Sequence, residues 1–396
     1  YLFKNANKVK ISSKEIKKND IFIALKGKKY HGNSFIGEAF ASGAKYCITD
    51  KKYFNLEKKE NILFVNNIIS FLKSLSIQKR SLFNGQVIGI TGSAGKTSLK
   101  EYLKFFLSKK YKVSASIKSY NNHLGVMISI LNMNVNSNFA IFEIGTNNFF
   151  EIRNLTKIVK PSQIFITNIL STHLENFKNK KNIALEKSDI FNKKYNPFAE
   201  TLFFQMNSDD EKIVSHLAKK QKLKNVIKIG NNGLDCFINN IKKNNYNYQV
   251  DLKILNKNFI FICDEYEVSQ ITNLMFVLAF FIKNNISPVY IFKSKIKFPK
   301  IDGTGAIYKI NLNNINIQLI DQSYNANPET MIQSIRNFSR IKKKGYKKIL
   351  ILGEMKELGS DELKFHSNVI QETTEHIFDN IILSGDLFKK TLKTFP

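Results

Sequence analysis

Val87-Ile88-Gly89-Ile90-Thr91-Gly92-Ser93-Ala94-Gly95-Lys96-Thr97-Ser98 is an apolar run of strand length that breaks into a glycine loop. Beyond it, Leu99, Tyr102, Leu103, Phe106 and Leu107 keep one face at helical spacing. Strand, glycine loop and helix in that order form a phosphate-binding context. Glycines let backbone N–H groups curl around phosphate oxygens, and the helix N-terminus adds its positive end. Lys96 can reach the outer phosphates and Thr97 can offer its hydroxyl to Mg²⁺. The usual eight-residue pattern begins with Gly where this chain has Ile90. Gly-Lys-Thr in this setting nevertheless points to a nucleoside triphosphate site rather than a simple turn.

Outward from the loop, apolar strand-length runs alternate with helical segments: Ala140-Ile141-Phe142, Ile164-Phe165-Ile166 and Thr201-Leu202-Phe203-Phe204. The alternation predicts a parallel α/β sheet with crossover helices. Residues 249–263 alternate about Asn256-Lys257-Asn258, which predicts an appended hairpin. Residues 1–83 read as a small α/β domain with strands at 21–25, 46–48 and 62–65. Residues 84–298 read as the central P-loop ATPase-like domain. Residues 299–396 read as a Rossmann-like domain with its own core: Ile315, Ile317 and Leu319 lead into Asp321, then follow a helix after Pro328, a strand at 349–352, a helix and a strand at 381–383. A chain of 396 residues fits three such units.

The formal net charge of +29 raises nucleic-acid binding as a hypothesis. The basic residues are almost all lysine, spread along the chain, with arginine only at positions 80, 153, 336 and 340. That reads as a composition bias, because base-reading surfaces usually cluster arginine for bidentate contacts, and no nucleic-acid partner is expected. No run of about 18 apolar residues predicts a membrane span. The opening stretch lacks the apolar core of a secretory signal, so a cytoplasmic enzyme is expected. Cys47, Cys236 and Cys263 are few, scattered and in apolar stretches, which predicts inert core thiols. The chain begins at Tyr1 and stops at Pro396 soon after a strand-like segment, so truncation at both ends is expected.

Glu143 closes the strand Ala140-Ile141-Phe142, where the carboxyl ends of an open sheet line the ligand crevice; it is a candidate Mg²⁺ ligand. His173 follows a second such strand, and on its own a loop histidine reads as structural. Lys187 is set among Ile183, Ala184, Ile190 and Phe191 on an apolar helix face. Burial there would lower its pKa and allow CO₂ addition as a carbamate. On spacing alone, snorkelling to solvent is the simpler expectation.

Taken together these segments resemble the Mur ligases, and the likeness runs from about residue 10 to the end of the chain. The loop at 91–97 matches that family's ATP-binding loop, in which a leading Gly is usually lacking. Glu143, His173 in His-Leu-Glu, and Lys187 match its strand-end glutamate, metal-binding histidine and carbamylated lysine, which reverses the plain readings of the last two. The segment Tyr120-Asn121-Asn122-His123-Leu124-Gly125-Val126, with Asn122 as the cofactor candidate, resembles a stretch near the nucleotide and metal. Asn273 falls where an adenine-side asparagine stands.

Asp321-Gln322-Ser323-Tyr324-Asn325-Ala326-Asn327-Pro328 resembles the signature of the family member that adds D-alanyl-D-alanine. Leu352-Gly353-Glu354-Met355-Lys356-Glu357-Leu358-Gly359, with His366, is a second match. The departures are Ser12-Ser13-Lys14 for Asp-Ser-Arg, His31-Gly32-Asn33 for Asp-Gly-His, Gly303-Thr304 for Gly-Arg, and Phe149-Phe150 for Pro-Gly.

The resemblance implies an ATP- and Mg²⁺-dependent amide ligase of peptidoglycan precursor synthesis, acting on UDP-N-acetylmuramoyl-tripeptide and D-alanyl-D-alanine as a monomer. It implies an ATP site formed by Thr91, Gly92, Ser93, Ala94, Gly95, Lys96, Thr97, Ser98, Asn122, Asn273, Asp321, Asn325 and Asn327. Metal would be held by Thr97, Glu143, His173 and Lys187, with Lys96, His173 and Lys187 catalytic. The alternatives are another ligase of the superfamily, which the Tyr-Asn-Ala-Asn-Pro segment argues against, and a nucleotide-binding regulatory protein without ligation, motivated by Thr304 and the altered first domain.

Overall fold

The computed structural model describes residues 7–27, 29–51, 59–206, 211–244, 247–264, 266–292, 295–341 and 345–395. Its centre is a nine-stranded sheet in the order Val113–Ala115, Phe139–Glu143, Gln86–Thr91, Gln163–Ile166, Thr201–Met206, Asn225–Gly230, Cys236–Lys243, Tyr248–Ile254, Lys257–Cys263, from edge to edge. The first seven strands run parallel and the last two turn back antiparallel. The strand before the glycine loop is interior, between Phe139–Glu143 and Gln163–Ile166. Three carboxyl ends therefore converge on the loop, at Thr91, Glu143 and Ile166. The expected hairpin pairs Ile254 with Lys257 across Leu255 and Asn256, both at positive φ, as a tight two-residue connection demands. The strand Cys236–Lys243, which escaped the sequence reading, joins it to the parallel strands.

Apolar side chains fill both faces of this sheet. Tyr102, Leu103 and Phe106 of the helix Lys96–Leu107 pack with Phe276 and Phe280 of the helix Val268–Lys283 on one face. On the other, the core runs continuously from Val126, Ile152 and Ile183 to Ile21, Ile23 and Ile48 of the first block. That block is a four-stranded parallel sheet, Val9–Lys10, Ile21–Ala24, Tyr46–Thr49 and Ile62–Phe64, whose second face holds a smaller core around Phe22, Ile36 and Cys47. Cys47, Cys236 and Cys263 are all buried and unpaired, and burial pushes their thiols up to about 12, 12 and 11, which leaves them inert.

In the third block the strand Ile349–Gly353 pairs in parallel with Asn380–Ser384 over a core of Ile335, Leu352, Met355 and Val369. The alternating segment Ile315–Asp321 behaves differently from the expected Rossmann alternation. It folds back on Ala306–Leu312 across Asn313-Asn314, both in the left-handed region, and forms a separate hairpin. The local Asn-Asn turn explains this, since asparagine tolerates positive φ and the intervening loop is too short for a crossover.

Three arginines are anchored by more than charge. Arg80 donates Nε to Val159 O at 2.7 Å, Nη1 to Phe83 O at 3.3 Å and Nη2 to Lys160 O at 3.2 Å, closing the end of the helix Glu151–Val159. Arg336 grips Glu372 with two parallel bonds of 2.7 and 2.8 Å. Arg153 donates to Asp189 and lies over the Phe150 and Tyr195 rings. Among the described residues no helix is long and apolar enough to cross a membrane.

Candidate active site

The glycine loop has the conformation its residues allow. Gly92 has φ +143° and Gly95 φ +77°, both in the region that disfavours a Cβ. A Cβ on Gly92 would stand 1.8 Å from Thr167 Oγ1, which itself donates to Ala94 O at 2.5 Å. The loop is tied down from the 167–172 segment: Ala94 N donates to Asn168 Oδ1 at 2.8 Å, Ser93 N to Asn168 O at 3.0 Å, and Leu170 N to Ser93 Oγ at 2.9 Å. Gly92→Ala is therefore expected to destabilise the protein by about 2–4 kcal/mol in urea denaturation and to abolish nucleotide binding.

Gly95 leads directly into the helix Lys96–Leu107, so the first side chains of that helix face the loop. Lys96 Nζ donates to Gly92 O at 2.8 Å and Ser93 O at 3.3 Å. Burial lowers its pKa and nearby Glu143 pulls it back up. Thr97 donates its hydroxyl to Glu143 Oε2 at 2.8 Å. The other carboxylate oxygen, Oε1, accepts from Asn121 Nδ2 at 2.7 Å. Glu143 itself is buried at the end of its strand.

Lys187 is buried, with 2% of its surface exposed, on the helix Lys180–Ser188. The snorkelling expected from spacing alone is thereby overturned, because Ile183, Ala184, Ile190 and Phe191 are all in the core around it. Its pKa falls well below the usual lysine range, first through burial and then through the charge of Lys96, with Glu186 opposing. Glu186 is held in place by Phe150 N at 2.7 Å and Ile152 N at 2.9 Å.

His173 sits at φ +53° and hydrogen-bonds through Nδ1 to a carboxylate oxygen of Glu357. Its pKa is lowered by burial, with Glu357 opposing and the charges of Lys187 and Lys96 adding to the fall. Lys96, His173 and Lys187 are thus within electrostatic reach of one another, as are Lys96 and Glu143.

The third block closes over this group. Tyr324 Oη lies 3.0 Å from Thr97 Oγ1. Glu329 Oε1 accepts from Ser171 N at 3.1 Å and Lys180 Nζ at 2.9 Å. Gln322 donates to Glu267, the N-cap of the helix carrying buried Asn273. Asp321 accepts from Ser323 N and Oγ at 3.0 and 2.6 Å, and these bonds hold its carboxyl below the usual range. Asn325 is exposed and accepts from Ala326 N.

Two of the asparagines named from sequence have local duties. Asn122 Oδ1 caps the helix His123–Leu131 through Gly125 N, and Asn327 Oδ1 caps the helix Pro328–Ser339 through Thr330 N. The neighbour Asn121 is the one that reaches Glu143. Among the residues singled out from sequence, Asn121, Tyr324 and Glu357 stood inside quoted motifs without a role.

The departures in the first block have structural uses. His31 Nε2 pairs with Asp50 at 3.2 Å, and Gly32 lies so close to Ala24 that a Cβ would meet its backbone at 2.6 Å. At the entry to the third block, Gly303 O accepts from Tyr324 N at 3.0 Å, so the turn at Gly303-Thr304 holds Tyr324 in place.

Thr97 Oγ1 and Glu143 Oε2, 2.8 Å apart, suit a hard cation that shares phosphate and water ligands. Among the described residues no three His, Cys, Asp or Glu side chains are grouped so as to hold a metal ion.

The family model for the Mur ligase middle domain matches residues 90–280, and that for the Mur ligase family catalytic domain matches residues 5–80. The chain is similar to the UDP-N-acetylmuramoyl-tripeptide–D-alanyl-D-alanine ligase of Rickettsia prowazekii, 31% identical over 99% of the chain and 85% of the relative. It is also similar to the solved structure of MurF ligase from Thermotoga maritima in complex with ADP, 25% identical with TM-score 0.74, over 98% of this chain and 91% of that one. MurF from Acinetobacter baumannii shares the fold with TM-score 0.81 at 23% identity, over 98% of this chain and 82% of that one. With a glycine loop, strand-end glutamate and buried lysine placed as described, and a relative alike over nearly its whole length, the chain belongs to the Mur ligase family.

Proposed function

We propose that this protein is a cytoplasmic ATP-dependent ligase that joins D-alanyl-D-alanine to UDP-N-acetylmuramoyl-tripeptide in peptidoglycan precursor synthesis. The observation that carries this reading is the position of Tyr324. The Tyr-Asn-Ala-Asn-Pro segment that points to the D-alanyl-D-alanine-adding member touches the phosphate-loop threonine itself.

The terminal carboxylate of the tripeptide is a poor acyl donor at neutral pH. Transfer of the γ-phosphoryl group of ATP to it forms an acyl phosphate, and attack by the dipeptide amine forms the amide and releases phosphate. Lys96 places its ammonium at the loop where negative charge accumulates during transfer. Mg²⁺, when bound, neutralises phosphate charge. Thr97, Glu143, His173 and Lys187 would hold it, the last as a carbamate. The lowered pKa of Lys187 supplies the neutral amine that CO₂ addition requires, and that of His173 keeps a lone pair free for metal. Asp321, carried beside the helix of Asn273, is offered to the ribose or adenine, and exposed Asn325 to the nucleotide or dipeptide side. Asn122 and Asn327 serve that surface by fixing helix starts.

The test is ADP release with Mg-ATP, UDP-N-acetylmuramoyl-tripeptide and D-alanyl-D-alanine, omitting each in turn. Release is expected only with all three. A rate indifferent to the dipeptide would instead favour a nucleotide-binding protein without ligation.

A further inference from the structure

Lys100 stands one turn beyond Lys96 on the same helix, and its side chain is fully buried. A buried ammonium is costly unless each of its three hydrogens finds an acceptor. Here the acceptors are Ser116 O at 3.1 Å, Lys118 O, and Glu101 Oε1 at 3.2 Å. Two of the three belong to one loop, and Lys118 takes a left-handed φ of +47° within it.

That loop lies against Glu143. Ser116 Oγ accepts from Glu143 N at 3.1 Å, and Asn121 Nδ2 donates to Glu143 Oε1 at 2.7 Å. Asn121 O in turn accepts from Gly145 N at 2.8 Å. Thr97, three residues before Lys100 on the helix, holds the remaining carboxylate oxygen. The carboxylate is thus held by Thr97 of the helix Lys96–Leu107 and by Asn121 of a loop that Lys100 ties to the same helix, while Ser116 N also anchors that loop to Ile141 O at 2.9 Å.

We infer that Lys100 is a positioning residue for Glu143: it clamps the 116–121 loop so that Ser116 holds the backbone N–H of Glu143 and Asn121 holds its carboxylate in a metal-facing orientation. The inference rests on the reading of Glu143 as a Mg²⁺ ligand. Lys100 is fully buried, and its described bonds go to Ser116, Lys118 and Glu101 rather than to Glu143 itself. Its contribution is to the geometry of a ligand it never meets, which is the way outer partners commonly tune metal sites.

The test is calorimetric titration of the full chain with ADP, in EDTA and across a series of MgCl₂ concentrations, alongside urea denaturation. Glu143→Ala is expected to abolish the Mg²⁺ enhancement of ADP binding. Lys100→Met is expected to raise the MgCl₂ concentration needed for half the enhancement about 10-fold, with ADP affinity in EDTA unchanged. Lys100→Gln, a milder change that keeps a polar donor and covers the case of Lys100→Met failing to fold, is expected to shift it in the same direction by a smaller factor. Lys104→Met, exposed on the same helix, is expected to shift nothing. A normal Mg²⁺ response in both Lys100→Met and Lys100→Gln, or in Lys100→Gln alone if the first does not fold, overturns the inference while Glu143→Ala still behaves as expected. A normal response in Glu143→Ala overturns the underlying reading and the inference with it.

Discussion

Lys187→Met is expected to lower kcat for ADP release by about 10²–10³-fold while leaving the urea midpoint unchanged or higher. The two halves have different origins. Activity falls because an apolar thioether cannot present oxygen to Mg²⁺. Stability holds because the side chain lies in a core lined by Ile183, Ile190 and Phe191, where methionine fits the stem and removes a buried polar group. The carbamate is checked separately by ¹³C NMR after incubation with labelled bicarbonate, which should give a signal in the native chain and none in the variant. Retention of more than a tenth of native kcat would end the case for Lys187 as a metal-facing group.

The second large effect is expected at Lys96. Lys96→Ala should reduce kcat/KM for ATP by about 10³-fold or more, on the order of 4 kcal/mol of transition-state stabilisation. Lys96→Arg should recover little. The ammonium fits between Gly92 O and Ser93 O as a compact point charge, whereas a planar guanidinium needs more room than the tethered loop leaves. Steady-state kinetics with ATP varied at saturating tripeptide and dipeptide would measure both variants.

The glycine loop was readable because all of its determinants are local: glycines where φ turns positive, a strand before them and a helical stripe after. Glu143 was readable for a related reason, since its position at a strand end fixes which side of the sheet it faces. Lys187 marks where local reading stops. Spacing put it on an apolar face, but whether a long side chain stays inside depends on Lys96 and on core residues from other helices and strands, which come from distant segments. Lys100 lay on a similar stripe, between Leu99 and Leu103, and the same periodicity test applied to it would have flagged it. Asn121 and Asn122 were indistinguishable in sequence because either can cap a helix, and only the three-dimensional turn decides which one does. The alternation of Ile315, Ile317 and Leu319 marks a strand that the structure bears out, and what that reading leaves out is its partner Ala306–Leu312 across the Asn313-Asn314 turn.

The few arginines show where a drift in composition meets a limit of shape. Lysine supplies nearly all of this chain's positive charge, and at most surface positions a compact ammonium serves as well as a guanidinium. At Arg80 it would not, because one ammonium at the end of a flexible stem cannot face three carbonyls spread over the Phe83 turn and the end of a helix. At Arg336 the two parallel bonds to Glu372 need a flat, forked donor, and at Arg153 the stacked rings need a flat one. Exchange of a residue for its chemical cousin is therefore harmless across most of this molecule and disruptive at three joints, where planarity rather than charge is what the fold consumes.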